Sequence, residues 1–123
     1  MPSVPAFILR RLYVKGSLAN TATGWQFQLR NSLGSGYARQ LLPLTLDDKE
    51  VPLESAGFNL DGKTTGFHEV DESNTFSLPM NKVIVISVTG AQLEPGAHKV
   101  GMSFVVPGFG QIGFDFTDEV AVG

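Results

Sequence analysis

The side chains that could do chemistry in this sequence are few and widely spaced. The chain has two histidines, His68 and His98, and no cysteine. His68 lies between Phe67 and Glu69, and His98 starts a run of alternating apolar residues. A metal site or an acid–base pair needs two or three such groups in one place. We therefore interpret both as solvated or locally hydrogen-bonded imidazoles, and predict no catalytic residue, no metal site and no cofactor for the chain alone.

Two further patterns have the composition of binding motifs but not their spacing. Asp47-Asp48-Lys49-Glu50 groups acidic residues without the spacing of an EF-hand calcium loop, so we interpret it as a charged hairpin turn. Gly34-Ser35-Gly36 has the composition of a phosphate-binding loop. No helix or lysine of the P-loop type follows it, and it is set aside. The lack of cysteine excludes disulfides, thiolate-bound zinc and a cysteine nucleophile.

Length, composition and charge indicate one ordinary globular domain over residues 1–123, with 42% hydrophobic and 17% charged residues. The formal net charge of −3 argues against nucleic acid as a partner, because phosphate binding needs a basic surface. No stretch approaches the ~20 apolar residues of a membrane helix, so no membrane association is expected. The N-terminus lacks the features of a signal peptide, and we expect a cytoplasmic location.

Alternation of apolar and polar residues predicts β-strands through most of the chain. Trp25, Phe27 and Leu29 alternate with polar residues and are expected to face a core. The β-branched run Val83–Val88 predicts a central strand covered on both faces. After a turn at Pro95-Gly96, alternation from His98 to Val106 predicts a second strand adjacent to the first.

The remaining segments complete an all-β prediction. Residues 7–15 read as a first strand with two mixed faces, and Asp61-Gly62 is a strong signal for a hairpin turn. No window has sustained helical periodicity. We predict a single-domain antiparallel β-sandwich, jelly-roll-like, with about eight short strands.

A domain of this kind acts by presenting a surface, and one loop is the strongest candidate for it. The glycine- and serine-rich segment from Leu33 to Gln40 contains Tyr37 and Arg39. Both residue types are favoured at interfaces because they bring contact area and directed hydrogen bonds. We predict Tyr37, Arg39, His68 and His98 as the candidate contacts to a partner or ligand.

Three segments resemble a known family. They are Leu18-Ala19-Asn20 with the following 24–30 strand, the acidic turn in 46–52, and the turn and strand in 93–100. Their order and spacing resemble the small β subunit of bacterial C-glycoside deglycosidases over most of the chain. The resemblance implies a β-sandwich that assembles with a larger, metal-dependent barrel subunit carrying the metal and the catalytic bases. Tyr37 and Arg39 are displaced relative to the Tyr-Arg element of that family, which the resemblance would place near the partner.

Three functions therefore remain open from the sequence. The first is a non-catalytic accessory subunit that associates with a larger barrel-type catalytic subunit acting on C-glycosides. The second is a self-associating structural β-sandwich, for which the mixed faces of the 7–15 segment are the motivation. The third is a free-standing carbohydrate-binding module, which would use Tyr37 or Trp25 to stack on sugars.

Overall fold

The protein is a sandwich of two antiparallel sheets, described here from a computed structural model that covers residues 4–120. Twelve strands follow one another in the described residues: β1 (Ala19–Thr21), β2 (Gly24–Arg30), β3 (Gly36–Ala38), β4 (Gln40–Leu41), β5 (Thr45–Leu46), β6 (Lys49–Glu50), β7 (Ala56–Leu60), β8 (Lys63–Gly66), β9 (Phe76–Leu78), β10 (Val83–Thr89), β11 (Ala97–Val106) and β12 (Gly110–Glu119). The helical parts are α1 (Ala6–Leu9) and the short 3₁₀ helices Arg10–Leu12, Leu53–Ser55 and Phe67–Glu69.

The strands form two sheets and a ribbon. Sheet 1 has the order β1-β2-β10-β7-β8, and sheet 2 has the order β12-β11-β5-β6, with β4 also pairing with β11. Strands β3 and β9 form a separate two-stranded ribbon. The prediction of an all-β, antiparallel architecture is confirmed, although the strands are more numerous than the roughly eight expected.

The core forms where the inward faces of the two sheets meet. Trp25, Phe27 and Leu29 of β2 are buried, as their alternation predicted. The ring of Phe27 packs edge-on against Phe116 of β12, with 5.2 Å between the ring centroids. This contact crosses from sheet 1 to sheet 2, and aromatic pairs in this geometry add to the stabilisation that comes from burial.

A second aromatic series connects the sheets through the ribbon. Phe76 of β9 packs edge-on against Phe58 of β7, with 4.7 Å between centroids. It also meets Phe104 of β11 at 6.2 Å. All three rings are buried. The ribbon therefore contributes to the core that the two sheets share.

The prediction that Val83–Val88 is covered on both faces is wrong. Ile84, Ile86 and Val88 are buried, whereas Val83 is 47% exposed and Ser87 is exposed. The outward residues of β10 pair with the outward polar residues of β2. Isoleucine and valine favour the extended backbone on a solvated face as well as in a core, so an unbroken β-branched run does not by itself indicate two buried faces.

The two strands predicted to be adjacent lie in different sheets. Strand β10 is hydrogen-bonded to β2 and β7, and β11 to β12, β4 and β5. The turn at Pro95-Gly96 therefore leads the chain from one layer of the sandwich to the other. The buried faces of β10 and β11 contribute to the same core. Alternation shows only that a strand has a buried face, so it could not tell two strands in one sheet from two strands in facing sheets.

The predicted first strand, 7–15, is also wrong. Residues Ala6–Leu9 form α1, and Arg10–Leu12 form a 3₁₀ helix. Leu9 and Leu12, three residues apart, are the buried positions, which is a helical spacing. The helix is too short for its periodicity to be recognised against a strand pattern.

Four contacts hold this N-terminal segment against β12. The ring of Tyr13 stacks on Phe116 with 3.6 Å between centroids, and its hydroxyl donates to Asp118 Oδ2 at 2.7 Å. Burial, followed by the hydrogen bond to Asp118, raises the pKa of Tyr13 to about 12. The same carboxylate accepts from the Gly16 amide, which is the main reason that the pKa of Asp118 is lowered. Arg10 donates to the backbone carbonyl of Asp115.

The predicted hairpin turn at Asp61-Gly62 is confirmed. It joins β7 to β8 with Leu60 opposite Lys63, and both turn residues have positive φ. This is the backbone that a two-residue turn between antiparallel strands requires. Within residues 4–120, none of the helices is long and apolar enough to span a membrane.

Truncating Phe104 tests the assignment of the core. Phe104→Ala should lower the free energy of unfolding by about 3–5 kcal/mol, since it removes a buried ring that the fold cannot replace. Val105→Ala, on the outward side of β11, should cost less than ~1 kcal/mol. Denaturant unfolding of both variants measures the difference. Equal losses would mean that the two faces of β11 are misassigned.

Candidate functional site

An apolar groove of about 400 Å³ lies between three parts of the chain. These are the N-terminal segment, the 31–37 segment with the start of β3, and the hairpin between β11 and β12. Its apolar and aromatic lining comprises Val4, Ile8, Leu9, Leu12, Leu33, Tyr37, Leu78, Phe104, Val106, Phe109 and Ile112. We call this feature the Tyr37 groove.

Three large hydrophobic side chains are exposed together at the rim of the groove. Leu33 is 37% exposed, Tyr37 48% and Phe109 41%. They are three of the six large hydrophobic residues that are exposed in the described residues. Scattered exposed apolar residues are normal, but a contiguous set around a concave surface indicates a binding site.

A buried amide, that of Asn31, fixes one wall of the groove. Its Nδ2 donates to the carbonyl oxygens of Gly34 at 2.6 Å and Leu78 at 2.7 Å. Its Oδ1 accepts from the amides of Leu33 at 2.9 Å and Gly34 at 3.2 Å. The side chain therefore uses both its donors and its acceptor to shape the segment that carries Leu33. Sequence reasoning missed Asn31, since an asparagine before a glycine-rich loop has no distinctive pattern.

The segment from Leu33 to Gln40 is more ordered than the sequence suggested. Residues Gly36–Ala38 form β3, which pairs with β9, and β4 follows at Gln40. Ala38 is buried, and its neighbours on either side, Tyr37 and Arg39, are exposed. Tyr37 and Arg39 therefore lie on one surface, as a pair of anchors would.

Arg39 connects the groove to a second, more polar cleft. The backbone amide of Arg39 donates to the Val105 carbonyl at 2.9 Å, so the strand switches here from β9 to β11. The guanidinium lies 3.8 Å from the carboxylate of Glu72. Tyr37, Arg39, Glu72 and Pro107 together line a cleft of about 340 Å³. Tyr37 belongs to both cavities.

His98 is held by two structural contacts. Its Nδ1 lies 2.7 Å from Asp47 Oδ2, and its Nε2 lies 2.7 Å from the carbonyl oxygen of Glu94. A carbonyl oxygen can only accept, so Nε2 must carry a proton, and an ionised carboxylate also accepts. Both contacts are satisfied together only when the ring is protonated. His98 thus ties the start of β11 to the preceding loop and to the β5–β6 turn.

The electrostatics of this group agree with the geometry. The hydrogen bond to Asp47, followed by that to the Glu94 carbonyl, raises the pKa of His98. The amide of Lys99 donates to Asp47 Oδ1 at 2.9 Å, and this bond, with the one to His98, lowers the pKa of Asp47. Asp47 and Asp48 both have positive φ and form the two-residue turn between β5 and β6. The prediction of a charged hairpin turn is correct.

His68 lies in a different environment. It is exposed, within the 3₁₀ helix that follows β8, and its ring lies against Gly66. The described contacts of His68 and His98 share no residue, so the structure gives no imidazole pair. In residues 4–120, no group of three carboxylate or imidazole side chains converges to hold a metal ion. The structure thus brings Tyr37 and Arg39 together and leaves the two histidines apart from them.

One comparison with known proteins is informative. A family model described as the hydroxymethylglutaryl-CoA reductase N-terminal domain matches residues 8–121, which is nearly the whole chain. The chain belongs to this family. A search of curated proteins found no match.

Membership of the hydroxymethylglutaryl-CoA reductase N-terminal domain family overturns the resemblance to C-glycoside deglycosidase small subunits. The segments that suggested that resemblance are a core strand of sheet 1, the Asp47-Asp48 turn, and a turn leading into β11. Many β-sandwiches need such elements for their backbone geometry, so these segments identify an architecture and not a family. The assignment of the site residues and the cytoplasmic location stay predictions.

Replacing Asn31 tests whether it shapes the groove. Asn31→Ala would leave the amides of Leu33 and Gly34 and the carbonyls of Gly34 and Leu78 without this partner, so the free energy of unfolding should fall by about 1–3 kcal/mol. The amides of Leu33 and Gly34 should exchange with deuterium faster than in the parent. Asn59→Ala, which removes bonds at an exposed hairpin, is the control. Unchanged exchange at Leu33 would show that the amide does not hold this wall.

The titration of His98 is a second test. Because its pKa is raised, the His98 contacts contribute stability that is fully present below about pH 6.5 and lost as the pH rises through the pKa in the folded state. The lowered pKa of Asp47 has the opposite sign: its contribution is present above about pH 4 and is lost as the pH falls. Asp47→Asn should therefore lower the pKa of His98 measured by NMR.

Asp48→Asn is the matched control for that titration, because Asp48 contacts the ammonium group of Lys99 and not His98. It should change the pKa of His98 much less than Asp47→Asn does. If both variants give the same His98 titration curve, the contact with Asp47 is not the cause of the shift.

Proposed function

We propose that this chain is a non-catalytic interaction domain that binds, through the Tyr37 groove, the catalytic unit of a hydroxymethylglutaryl-CoA reductase. The observation that carries the proposal is the contiguous apolar lining of the groove together with the exposed side chains of Leu33, Tyr37 and Phe109. Exposing such a surface to water is unfavourable, and burying it against another apolar surface lowers the free energy. The family name supplies the enzyme that this domain would serve.

The hydrogen bonds of the ionisable side chains support a non-catalytic role. His98 and Asp47 are occupied by each other and by backbone groups, and Tyr13 and Asp118 are likewise paired. The pKa shifts come from burial in the case of Tyr13 and from hydrogen bonds in the case of His98, and none of these groups lines the groove. A general acid or base must be free to exchange its proton with a substrate.

The composition of the groove fits a protein partner. Interfaces are enriched in aromatic residues and depleted of lysine and acidic residues at their centre, and here Tyr37 and Phe109 flank an aliphatic base. The Asn31 hydrogen bonds hold the wall in place before binding, which reduces the conformational entropy lost on association. A carbohydrate-binding role has less support, because Trp25 is only 2% exposed and cannot stack on a sugar, which leaves Tyr37 alone of the two residues considered for stacking.

Co-elution measures the proposed association. The purified chain is mixed with the catalytic domain of a hydroxymethylglutaryl-CoA reductase from the same organism and analysed by size-exclusion chromatography and calorimetry. The two should co-elute. A Leu33→Ser/Tyr37→Ala double variant should bind at least about tenfold more weakly, since truncating a central aromatic anchor commonly costs over ~1.4 kcal/mol.

Leu46→Thr is the matched control, because Leu46 is a partly exposed apolar residue of β5 that does not line the groove. It should bind as the parent does. Failure of the parent chain to co-elute would contradict the proposed partner, and equal binding by the double variant would contradict the proposed surface. A dimer of the chain alone that dissociates in the double variant would instead support the self-association considered from the sequence.

A further inference from the structure

The arginines of this chain lie closer in the sequence to the groove-lining residues than its lysines do. The chain has four arginines, and each lies within two residues of a lining residue. Arg10 and Arg11 lie between the lining residues Leu9 and Leu12. Arg30 immediately precedes Asn31, and Arg39 shares the neighbouring cleft with Tyr37. None of the five lysines lies within two residues of a lining residue.

Only part of this positive charge is balanced within the domain. Arg10 pairs with Asp115 at 3.5 Å, and Arg39 lies 3.8 Å from Glu72. Arg11 and Arg30 are exposed, and neither has an acidic group within 4.0 Å among residues 4–120. Four arginines less these two carboxylates give a local charge of +2, whereas the chain as a whole has −3.

We infer that the groove binds an amphipathic segment of the partner protein, with apolar side chains in the groove and carboxylates against Arg11 and Arg30. The inference rests on the proposed function, because it names the chemistry of the partner at the same site. Guanidinium groups pair with carboxylates through two parallel hydrogen bonds and are less strongly hydrated than ammonium groups. Opposite charges around an apolar centre also orient the partner as it approaches.

The shape and charge of the domain favour a protein segment over an anionic membrane. The groove is concave and can enclose individual side chains, and its volume of about 400 Å³ suits a few of them. A bilayer surface presents no projections to fill it. The net charge of −3 would also repel an anionic membrane from the rest of the domain.

The test is a selection from a random peptide library displayed on phage, carried out on the whole chain. The parent should enrich peptides that combine apolar residues with Asp or Glu. An Arg11→Glu/Arg30→Glu variant should instead enrich peptides that carry Lys or Arg in place of the Asp or Glu. The control, Lys49→Glu/Lys63→Glu, has the same change in net charge away from the groove and should still select acidic peptides. Circular dichroism and thermal unfolding establish that each variant is folded.

A synthetic acidic peptide from that selection then gives the affinities. Its Kd, measured by fluorescence anisotropy, should rise at least tenfold for the Arg11→Glu/Arg30→Glu variant and for Tyr37→Ala, and should rise with salt for the parent. Recovery of the same acidic peptides by the charge-reversed variant, or binding that does not depend on Tyr37, would overturn the inference. So would tighter binding of the parent to vesicles of phosphatidylserine and phosphatidylcholine than to any selected peptide.

The same variants separate this inference from the proposed function. If the reductase catalytic domain binds the parent and the Arg11→Glu/Arg30→Glu variant equally well, but not the Leu33→Ser/Tyr37→Ala variant, the proposed function stands and the acidic segment is refuted. If the catalytic domain does not bind the parent while acidic peptides do, the surface and its chemistry stand and the proposed enzyme partner is refuted.

Discussion

The stacking of Tyr13 on Phe116 is the contact on which the candidate site depends. Phe116 packs in turn against Phe27, so three rings in series connect the N-terminal segment to both sheets of the sandwich. The hydroxyl of Tyr13 and the amide of Gly16 converge on one carboxylate, that of Asp118, which fixes the segment along β12. Since this segment forms one wall of the Tyr37 groove, these contacts help to hold that wall in place. The groove is therefore continuous with the core that the two sheets share.

The sequence predicts those strands that have one buried and one exposed face, and the turn whose backbone needs positive φ. The alternation in β2 and β11 and the turn at Asp61-Gly62 are predictable because each has one physical cause, a buried face or a backbone with positive φ. The unbroken run Val83–Val88 was misinterpreted, because β-branched residues are favoured in strands whether or not the second face is covered. The helix at Ala6–Leu9 was missed for a different reason. A single turn contains too few residues for its period to differ visibly from that of a strand.

The candidate site is less predictable than the fold, because its parts are distant in the sequence. The groove joins the N-terminal segment, the 31–37 segment and the β11–β12 hairpin, and no pattern within any one of them indicates the other two. Asn31 reaches the Leu78 carbonyl across 47 positions, and His98 reaches Asp47 across 51. Composition did single out Tyr37 and Arg39, whose residue types are favoured at interfaces wherever they are exposed. It could not reveal the aliphatic surface beside them, since Ile8 and Leu12 read as strand residues until the helix is known.

The arginines lie near the groove-lining residues in the sequence and the lysines do not, and the chemistry of the two side chains explains why this difference matters. Lysine on a solvated face serves solubility, because its compact ammonium group holds water strongly; arginine gives up water more readily and pairs with planar anions. Arg10 already acts in this way inside the domain, where it donates to the backbone of Asp115 beside the same wall of the groove. Many acidic residues lie elsewhere, in the Asp47-Asp48 turn and at the end of β12, so the domain is polar as a whole. A partner with acidic residues would be drawn to the arginine side and repelled from the others, which selects one orientation before the apolar surfaces meet.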